Sequence, residues 1–499
     1  MEQNLGKMLE DTCSRYPDRI SLIYKDKTIS YAELDRAVNA FGNRLKALGM
    51  AKGDKVAMML PNIPEFIISY FAILKLGAVA VTINTLSTSH ELLYLLDNCD
   101  AKAFITIPAS AKRFEEIREK LPQCEQLITT DNSHGNLSIN GSMEMNAFEL
   151  DMPEITGDDP AVMIYTSGLT GEPLGAVLTH RNLSTQAPLL EDVCHGTVAD
   201  RGLCLIPLFH SFGATANMLM ILKMGASVVM IDQFNLENIF KAIEEKVTYI
   251  AAVPRVFLGM LLFEGADNYD TGSLRFCITG GSAIPPEYIP MFEKKFGVTL
   301  AQGYGLTEAS PVCSVNRIDG VQKSGSIGQP IPGVEAKVFD ETGSPLPAGD
   351  TGELFIRGLN VMKGYYKNEK ATAEVIKNGW LHTGDLARID EEGYIFLEGR
   401  LKRMIITSGF NVYPTEVENV LRMYPGVSDA VVSGREDLIR GEIVMALITK
   451  SRGAAFTEKD LMKHCRKYLS SYKSPREVEF VETIERKSKH ILPGKGEVS

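Results

Sequence analysis

The sequence contains no Cys-x-x-Cys pair and no histidine-rich neighbourhood. Its eight cysteines, Cys13, Cys99, Cys124, Cys194, Cys204, Cys277, Cys313 and Cys465, are scattered singly, which reads against a disulfide framework or a zinc site and predicts reduced thiols. No basic face is collected anywhere: the net charge of −11 is spread along the chain. Nucleic acid is therefore not expected as the main partner, because phosphate backbones need a basic surface. The first residues, MEQNLGKMLEDTC, carry charges where a signal peptide needs an apolar core, so the expected location is cytoplasmic. One long apolar run exists, Phe66 to Ile83, but it holds Lys75 in its middle and Gly77 just after, and its second half is β-branched. That pattern reads as a buried helix running into a buried strand, and no integral membrane segment is expected.

At 499 residues the chain is too long for one core and sufficient for two to four domains. Ser30-Tyr31-Ala32-Glu33 is a capping box, and Leu34, Ala37, Val38, Phe41, Leu45 and Leu48 follow at helical spacing before Gly49. Apolar strands then alternate with helices: Lys55 to Leu60, a Pro-bounded helix, AVAVTI, a helix from about Glu91, and AFITI at Ala103. The alternation recurs from Gly202 to Val253 and predicts α/β layers with parallel strands. From Gly325 short strands with Gly/Pro turns predict antiparallel hairpins or a small barrel. The segment after Gly399 alternates strands and helices again and has the size of a small α+β domain.

Four segments carry candidate chemistry. YTSGLTGEPLG, from Tyr165, packs hydroxyls and glycines after an apolar strand, as a loop does when its backbone N–H groups wrap an anion. It lacks the Gly-Lys-Ser/Thr of a P-loop. QGYGLTEAS, from Gln302, offers an aromatic between glycines to lie on a flat base, a Thr hydroxyl for a phosphate oxygen, and Glu308, a hard oxygen ligand suited to Mg²⁺. GWLHTGDLA places Asp385 in an expected turn, where a carboxylate can accept both hydroxyls of a ribose. GRLKRMIITSGFNVYPTEVE joins Arg400 and Lys402 to the Ser408-Gly409 turn and a helix start at Pro414. Taken alone, the Ser/Thr/Gly cluster reads more readily as a plain loop and Asp385 as a turn-capping residue, and Glu308 also fits a solvated glutamate at a glycine-bent strand end.

In this order and spacing, from Tyr31 to about Pro475, the segments resemble the adenylate-forming superfamily of acyl-CoA synthetases, luciferases and peptide-synthetase adenylation domains, with a texture closest to fatty-acyl and medium-chain acyl-CoA ligases. The resemblance implies a large N-terminal domain, 1–398, of two αβ-layered subdomains and a small β-barrel-like one, a hinge at 399–403, and a small mobile α+β domain, 404–499. It implies a two-step ligase: a carboxylic acid attacks the α-phosphate of ATP·Mg²⁺ to give acyl-AMP and pyrophosphate, and the thiol of coenzyme A then displaces AMP. By position, Thr166, Ser167, Gly168, Thr170 and Gly171 would hold the β- and γ-phosphates. Gly281, Ser282, Ala283 and Tyr304 would line adenine, Thr307 would meet the α-phosphate, Glu308 the metal, and Asp385 and Arg400 the ribose. His210 would lie beside the acyl carboxylate, Lys402 would mark the hinge, and Gly409 would line the pantetheine tunnel. Phe209, Phe212, Phe257, Gly280 and Gly281 are the expected acyl-pocket residues and suit an uncharged aliphatic or aromatic acid. A monomer or homodimer is expected.

Three departures from the pattern stand out. Leu169 replaces a Ser or Thr, Leu174 replaces the loop lysine, and the C-terminal lysine falls out of frame: Lys489 and Lys495 are candidates, while aligning HIL puts His490 there. One lost donor to transition-state charge costs about 3 kcal/mol, roughly a hundredfold in rate. The expectation is an acyl-CoA synthetase with a weakened adenylation step. The alternative is a non-catalytic acyl-adenylate or nucleotide-binding paralogue. A peptide-synthetase adenylation domain fits less well, because Phe212 to Asn217 supply no Asp for a substrate amino group.

Overall fold

The computed structural model describes residues 4–131, 138–140, 149–167, 172–231, 233–401, 404–437 and 440–484. Helices begin where the sequence supplies caps. The Ser30 hydroxyl accepts from Glu33 N at 3.2 Å and Glu33 Oε2 accepts from Ser30 N at 2.7 Å, opening the helix Tyr31–Ala47. Thr88 and Glu91 form the same box on Ser89–Asn98.

Among the described residues the strands form four sheets. The first has parallel neighbours in the order Ile20–Tyr24, Ser227–Met230, Arg201–Cys204, Tyr249–Ala252, Phe276–Thr279 and Thr299–Gly305, with antiparallel strands at both edges. The second runs parallel through Pro160–Ser167, Val79–Thr82, Lys55–Met59, Ala101–Thr106 and Gln126–Thr129, and Pro173–Thr179 returns antiparallel on Pro160–Ser167. The expected βα alternation is thus two parallel layers, their near-continuous apolar strands buried on both faces. The third sheet, five-stranded and antiparallel, spans Val334–Phe339 to Ile395–Arg400. The fourth, from Ile405–Thr407 to Glu477–Phe480, packs the helices Pro414–Arg422 and Glu458–Tyr468 around a core of its own that includes Val417, Leu421, Val432 and Leu461.

The apolar run Phe66 to Ile83 is the helix Pro64–Lys75 followed by the strand Val79–Thr82. Lys75, 1% exposed, is neutralised inside the core by Asp35 Oδ1 at 2.7 Å and donates to Asn39 Oδ1 at 2.8 Å. An enclosed lysine is tolerated when paired and fully bonded. Among the described residues no helix is long and apolar enough to cross a membrane. All eight cysteines are free and buried, and burial pushes the Cys204 thiol above its ordinary value, which leaves it inert.

Two local expectations need correcting. Tyr165, Thr166 and Ser167 belong to the strand Pro160–Ser167 rather than to a loop; Thr166 pairs with Leu174 and Ser167 with Pro173 on the antiparallel strand Pro173–Thr179. Asp385 is not in a turn either. It lies inside the strand Trp380–Ile389, in register with Arg400. Gly384, at φ 75°, made the stretch look like a turn, but the flanking Trp380, Thr383 and Ile389 are strand formers and the ladder to the next strand overrides it.

Candidate active site

The carboxyl ends of three parallel strands of the first sheet converge on one place. Past Phe276–Thr279 come Gly280 and Gly281, Thr299–Gly305 leads into Thr307 and Glu308, and His210 lies six residues beyond Arg201–Cys204. This is where open parallel sheets bind ligands, because the turns there are free to diverge from the ladder. Gly305 is required at the exit: a Cβ there would overlap the Pro311 carbonyl oxygen. The chain can then turn tightly into the short helical turn Thr307–Ala309, which presents Glu308.

Asp385 sits on the antiparallel sheet and faces this edge. Its Oδ1 accepts from Arg400 Nε at 2.9 Å and its Oδ2 from the Tyr304 hydroxyl at 2.5 Å. The strand register puts the guanidinium opposite the carboxylate, and the side chain of Asp385 is only 12% exposed. An ionised carboxylate has about four acceptor positions; the two donors here leave room for a vicinal diol. Glu308 Oε1 accepts from the Tyr365 hydroxyl at 2.8 Å and from Thr166 Oγ1 at 3.3 Å. Its second oxygen accepts no hydrogen bond from the described residues. Burial and the Glu308 charge push the Tyr365 hydroxyl upward, so it remains a donor. One carboxylate oxygen held by hydroxyls and one left open suits Mg²⁺, which takes one or two protein carboxylates and completes its shell with phosphates and water. Among the described residues no cluster of three acidic, His or Cys side chains offers a preformed metal cage.

His210 caps the short helix Ser211–Ala214, its Nδ1 accepting from Phe212 N at 3.2 Å. The hydrogen-bond network therefore assigns the ring proton to Nε2. Burial lowers the imidazole to about 4, so at neutral pH it is an uncharged N–H donor. Nearby, Ser211 Oγ and Thr307 Oγ1 share a hydrogen bond of 3.2 Å, which orients the threonine hydroxyl.

These groups line one cavity of about 1610 Å³. A pocket for a single small ligand measures roughly 300–1,000 Å³, so this one has room for several reactants. Gly281, Ser282, Ala283, Tyr304, Thr307, Glu308, Asp385, Arg400, His210 and Gly409 all line it, as does Leu174. Gly281 has φ 82°, a conformation other residues adopt only at a cost. An apolar arm is walled by Leu189, Leu190, Val193, Met220, Tyr249 and Ile327. Of the expected acyl-pocket residues, Phe212, Gly280 and Gly281 line the cavity. Phe209 and Phe257 do not: Phe209 stacks on Phe410 and Phe257 packs edge-on against Phe292 in a neighbouring core. The strongest apolar wall comes instead from the helix Leu189–Cys194, whose LLEDVC pattern signals burial but not of what. Tyr365 and Ser211 also escaped the sequence reading; the only cue to Tyr365 was a glycine followed by two tyrosines.

The C-terminal sheet closes the cavity. Ser408 and Gly409, at φ 56° and 86°, form a two-residue hairpin turn between Ile405–Thr407 and Phe410–Val412, a geometry that favours glycine. A Cβ on Gly409 would lie 2.7 Å from Val253 Cγ1, so the turn touches the N-terminal part at its closest possible approach. Gly168, Thr170, Gly171, Lys402 and Lys489, with Leu169, His490 and Lys495, lie outside the described residues.

Comparison with known proteins agrees with this arrangement. The AMP-binding enzyme family model matches residues 9–366, and the model of the AMP-binding enzyme C-terminal domain matches 416–490. A long-chain-fatty-acid–CoA ligase of Bacillus subtilis is 33% identical over 511 residues, covering 96% of this chain and 91% of that protein. Among solved structures, a double mutant of o-succinylbenzoate CoA synthetase from Bacillus subtilis bound to a product analogue superposes with a TM-score of 0.86 at 29% identity, covering 96% of each chain. ATP-bound MatB from Rhodopseudomonas palustris gives 0.75 at 30% identity, covering 98% of this chain and 97% of that one. With both of its domains matched along most of their length, the chain is a member of the adenylate-forming, AMP-binding enzyme family.

Proposed function

We propose that this protein is an AMP-forming acyl-CoA synthetase that activates a carboxylic acid with an uncharged aliphatic chain, with a first half-reaction weakened at the phosphate hairpin. The observation that carries the reading is the convergence, in one cavity, of Asp385 with its Arg400 and Tyr304 donors, Glu308 with its open oxygen, an apolar arm, and Gly409 pressed on Val253. A nucleotide, an acyl chain and a thiol carried on a slender arm are the three reactants such a cavity accommodates. The name of the Bacillus subtilis relative supports a fatty acid as the acid.

In the proposed mechanism, Asp385 binds the ribose hydroxyls and Arg400, bonded to its Oδ1, fixes that carboxylate in place. Gly281, Ser282, Ala283 and Tyr304 form the adenine slot. The His210 N–H orients the substrate carboxylate for attack on the α-phosphate, which Thr307 holds through its hydroxyl. Glu308 would hold Mg²⁺, which when bound would supply charge neutralisation for the phosphates. The apolar arm excludes water from the acyl chain and so protects the mixed anhydride from hydrolysis. Movement about 399–403 then exchanges the catalytic lysine region, with Lys489 as its candidate, for the Gly409 turn, so that one cavity serves two reactions. The seating of the Gly409 turn on Val253 at the cavity supports reading the present arrangement as the thioester-forming one.

The alternative, a binder that no longer adenylates, is favoured by Leu174, which lines the cavity with an apolar side chain where the family supplies a cation. Leu174→Lys separates the two. On a strand already facing the cavity, a lysine restores a donor to the leaving phosphates, and acid-dependent exchange of pyrophosphate into ATP should rise about tenfold, part of the roughly hundredfold such a donor contributes where it has evolved. No exchange in either protein would leave the binder reading standing.

A further inference from the structure

Away from the reacting groups, the C-terminal segment is fastened to the second sheet's helical layer by a buried polar cluster. Lys473 Nζ donates to Glu91 Oε1 at 2.9 Å and to Glu416 Oε1 at 2.6 Å, and Ser470 Oγ donates to Glu91 Oε2 at 2.7 Å. The side chains of Lys473, Glu91 and Glu416 are 8%, 9% and 9% exposed. Glu91 is also the capping-box carboxylate of Ser89–Asn98, so one side chain both starts a helix and grips the other part of the protein. Burial pushes the Glu91 carboxyl upward, but Lys473, Ser470 and the Thr88 backbone outweigh it and hold it below its ordinary value. Glu416 Oε2, by contrast, has no partner among the described residues. Lys473 thus bridges Glu91 across the interface and Glu416 on its own side.

The cluster is joined to the active site by packed rings. Tyr472, beside Lys473, packs on Phe410 with ring centres 4.7 Å apart; Phe410, beside Gly409, stacks on Phe209 at 6.5 Å; and Phe209 precedes His210. His90 meets Tyr468 edge-on at 5.1 Å and steadies the same face. Fixing Lys473 therefore fixes the height at which the Gly409 turn rests on Val253.

We propose that Glu91 and Lys473 are positioning residues for thioester formation: their buried ion pair pins the C-terminal segment in the arrangement that seats Gly409 on Val253. The proposal rests on the acyl-CoA synthetase reading for its kinetic consequence, though not for its structural one. A paired charge buried at an interface that must open is suited to a reversible latch. Broken, both groups regain water; closed, each satisfies the other, and the net stability of the contact stays modest.

Glu91→Gln is the discriminating variant, because glutamine still completes a capping box and leaves Lys473 neutralised by Glu416. Lys473→Met removes the latch from the other side. Synthetic acyl-adenylate with coenzyme A bypasses the first half-reaction. With that pair, single-turnover thioester formation should slow about tenfold in each variant, the loss of one charge-assisted contact. Pyrophosphate exchange should stay within about twofold, and the double variant should be no slower than Lys473→Met. Thioester formation at the wild-type rate in both variants, or an equal fall in both half-reactions, would overturn the proposal. Amide hydrogen exchange over 470–474 gives a readout free of catalysis: the latch requires lost protection in Glu91→Gln, and unchanged protection contradicts it. If the wild-type protein turns over no adenylate, the synthetase reading fails, and this exchange result alone decides the latch.

Discussion

Replacing Gly409 with leucine should stop thioester formation while leaving adenylation intact. Two independent features put the substitution in conflict with the structure. The backbone at Gly409 has φ 86°, a left-handed conformation that costs other residues about 1–2 kcal/mol. The first added carbon would also already lie 2.7 Å from Val253 Cγ1, inside van der Waals contact, before the rest of the side chain is placed. The turn would then stand off from Val253, and the isobutyl group would fill the part of the cavity through which the proposed mechanism passes a pantetheine arm. With synthetic acyl-adenylate and coenzyme A, thioester formation should fall at least about a hundredfold, and pyrophosphate exchange should change by less than about threefold. Gly409→Ala should fall between, since its methyl meets one flexible valine. A parallel fall in both half-reactions would instead mean that the variant had lost its fold.

Glu308→Gln should have the opposite signature. The carboxylate is held on one oxygen by Tyr365 and Thr166 and open on the other, and the amide keeps its size while removing the charge that draws Mg²⁺. The loss of one electrostatic stabiliser of a phosphoryl transition state costs about two to three orders of magnitude. Pyrophosphate exchange should fall by that amount, and raising the Mg²⁺ concentration should recover part of it. Thioester formation from supplied adenylate, which displaces AMP and moves no pyrophosphate, should fall by less than about tenfold. Equal losses in the two assays would remove Glu308 from the metal-binding role.

The chemistry-bearing residues were legible where local backbone requirements and side-chain chemistry coincide in sequence. Tyr304, Thr307 and Glu308 fall within five consecutive positions around Gly305, whose close approach to Pro311 forces the turn that presents them. Ser408-Gly409 announced its hairpin in the same way. Asp385 was singled out but assigned to the wrong backbone, because a lone Gly384 outweighed its strand-forming neighbours Trp380, Thr383 and Ile389 in a local reading. The acyl wall was harder. Phe257 and Met220 look alike in sequence, both apolar and regularly spaced, and only tertiary packing sends Met220 to the cavity and Phe257 to a core. Hardest of all was the pair Glu91–Lys473, 382 residues apart, because no periodicity relates two charges that meet only when separate parts of the protein close. Lys75 illustrates the converse: its position in an apolar run was plain, and its partner Asp35 was not.

One cavity is proposed to carry an acid through adenylation to a thioester. The most direct test incubates the wild-type protein with ATP, Mg²⁺, coenzyme A and a panel of straight-chain acids from short to long, plus aromatic acids, and follows AMP, pyrophosphate and acyl-CoA together. The account predicts equal amounts of all three, each dependent on both the acid and coenzyme A, with aliphatic acids preferred. Tight binding of an acyl-adenylate analogue with no product from any acid, and none after Leu174→Lys, would contradict it.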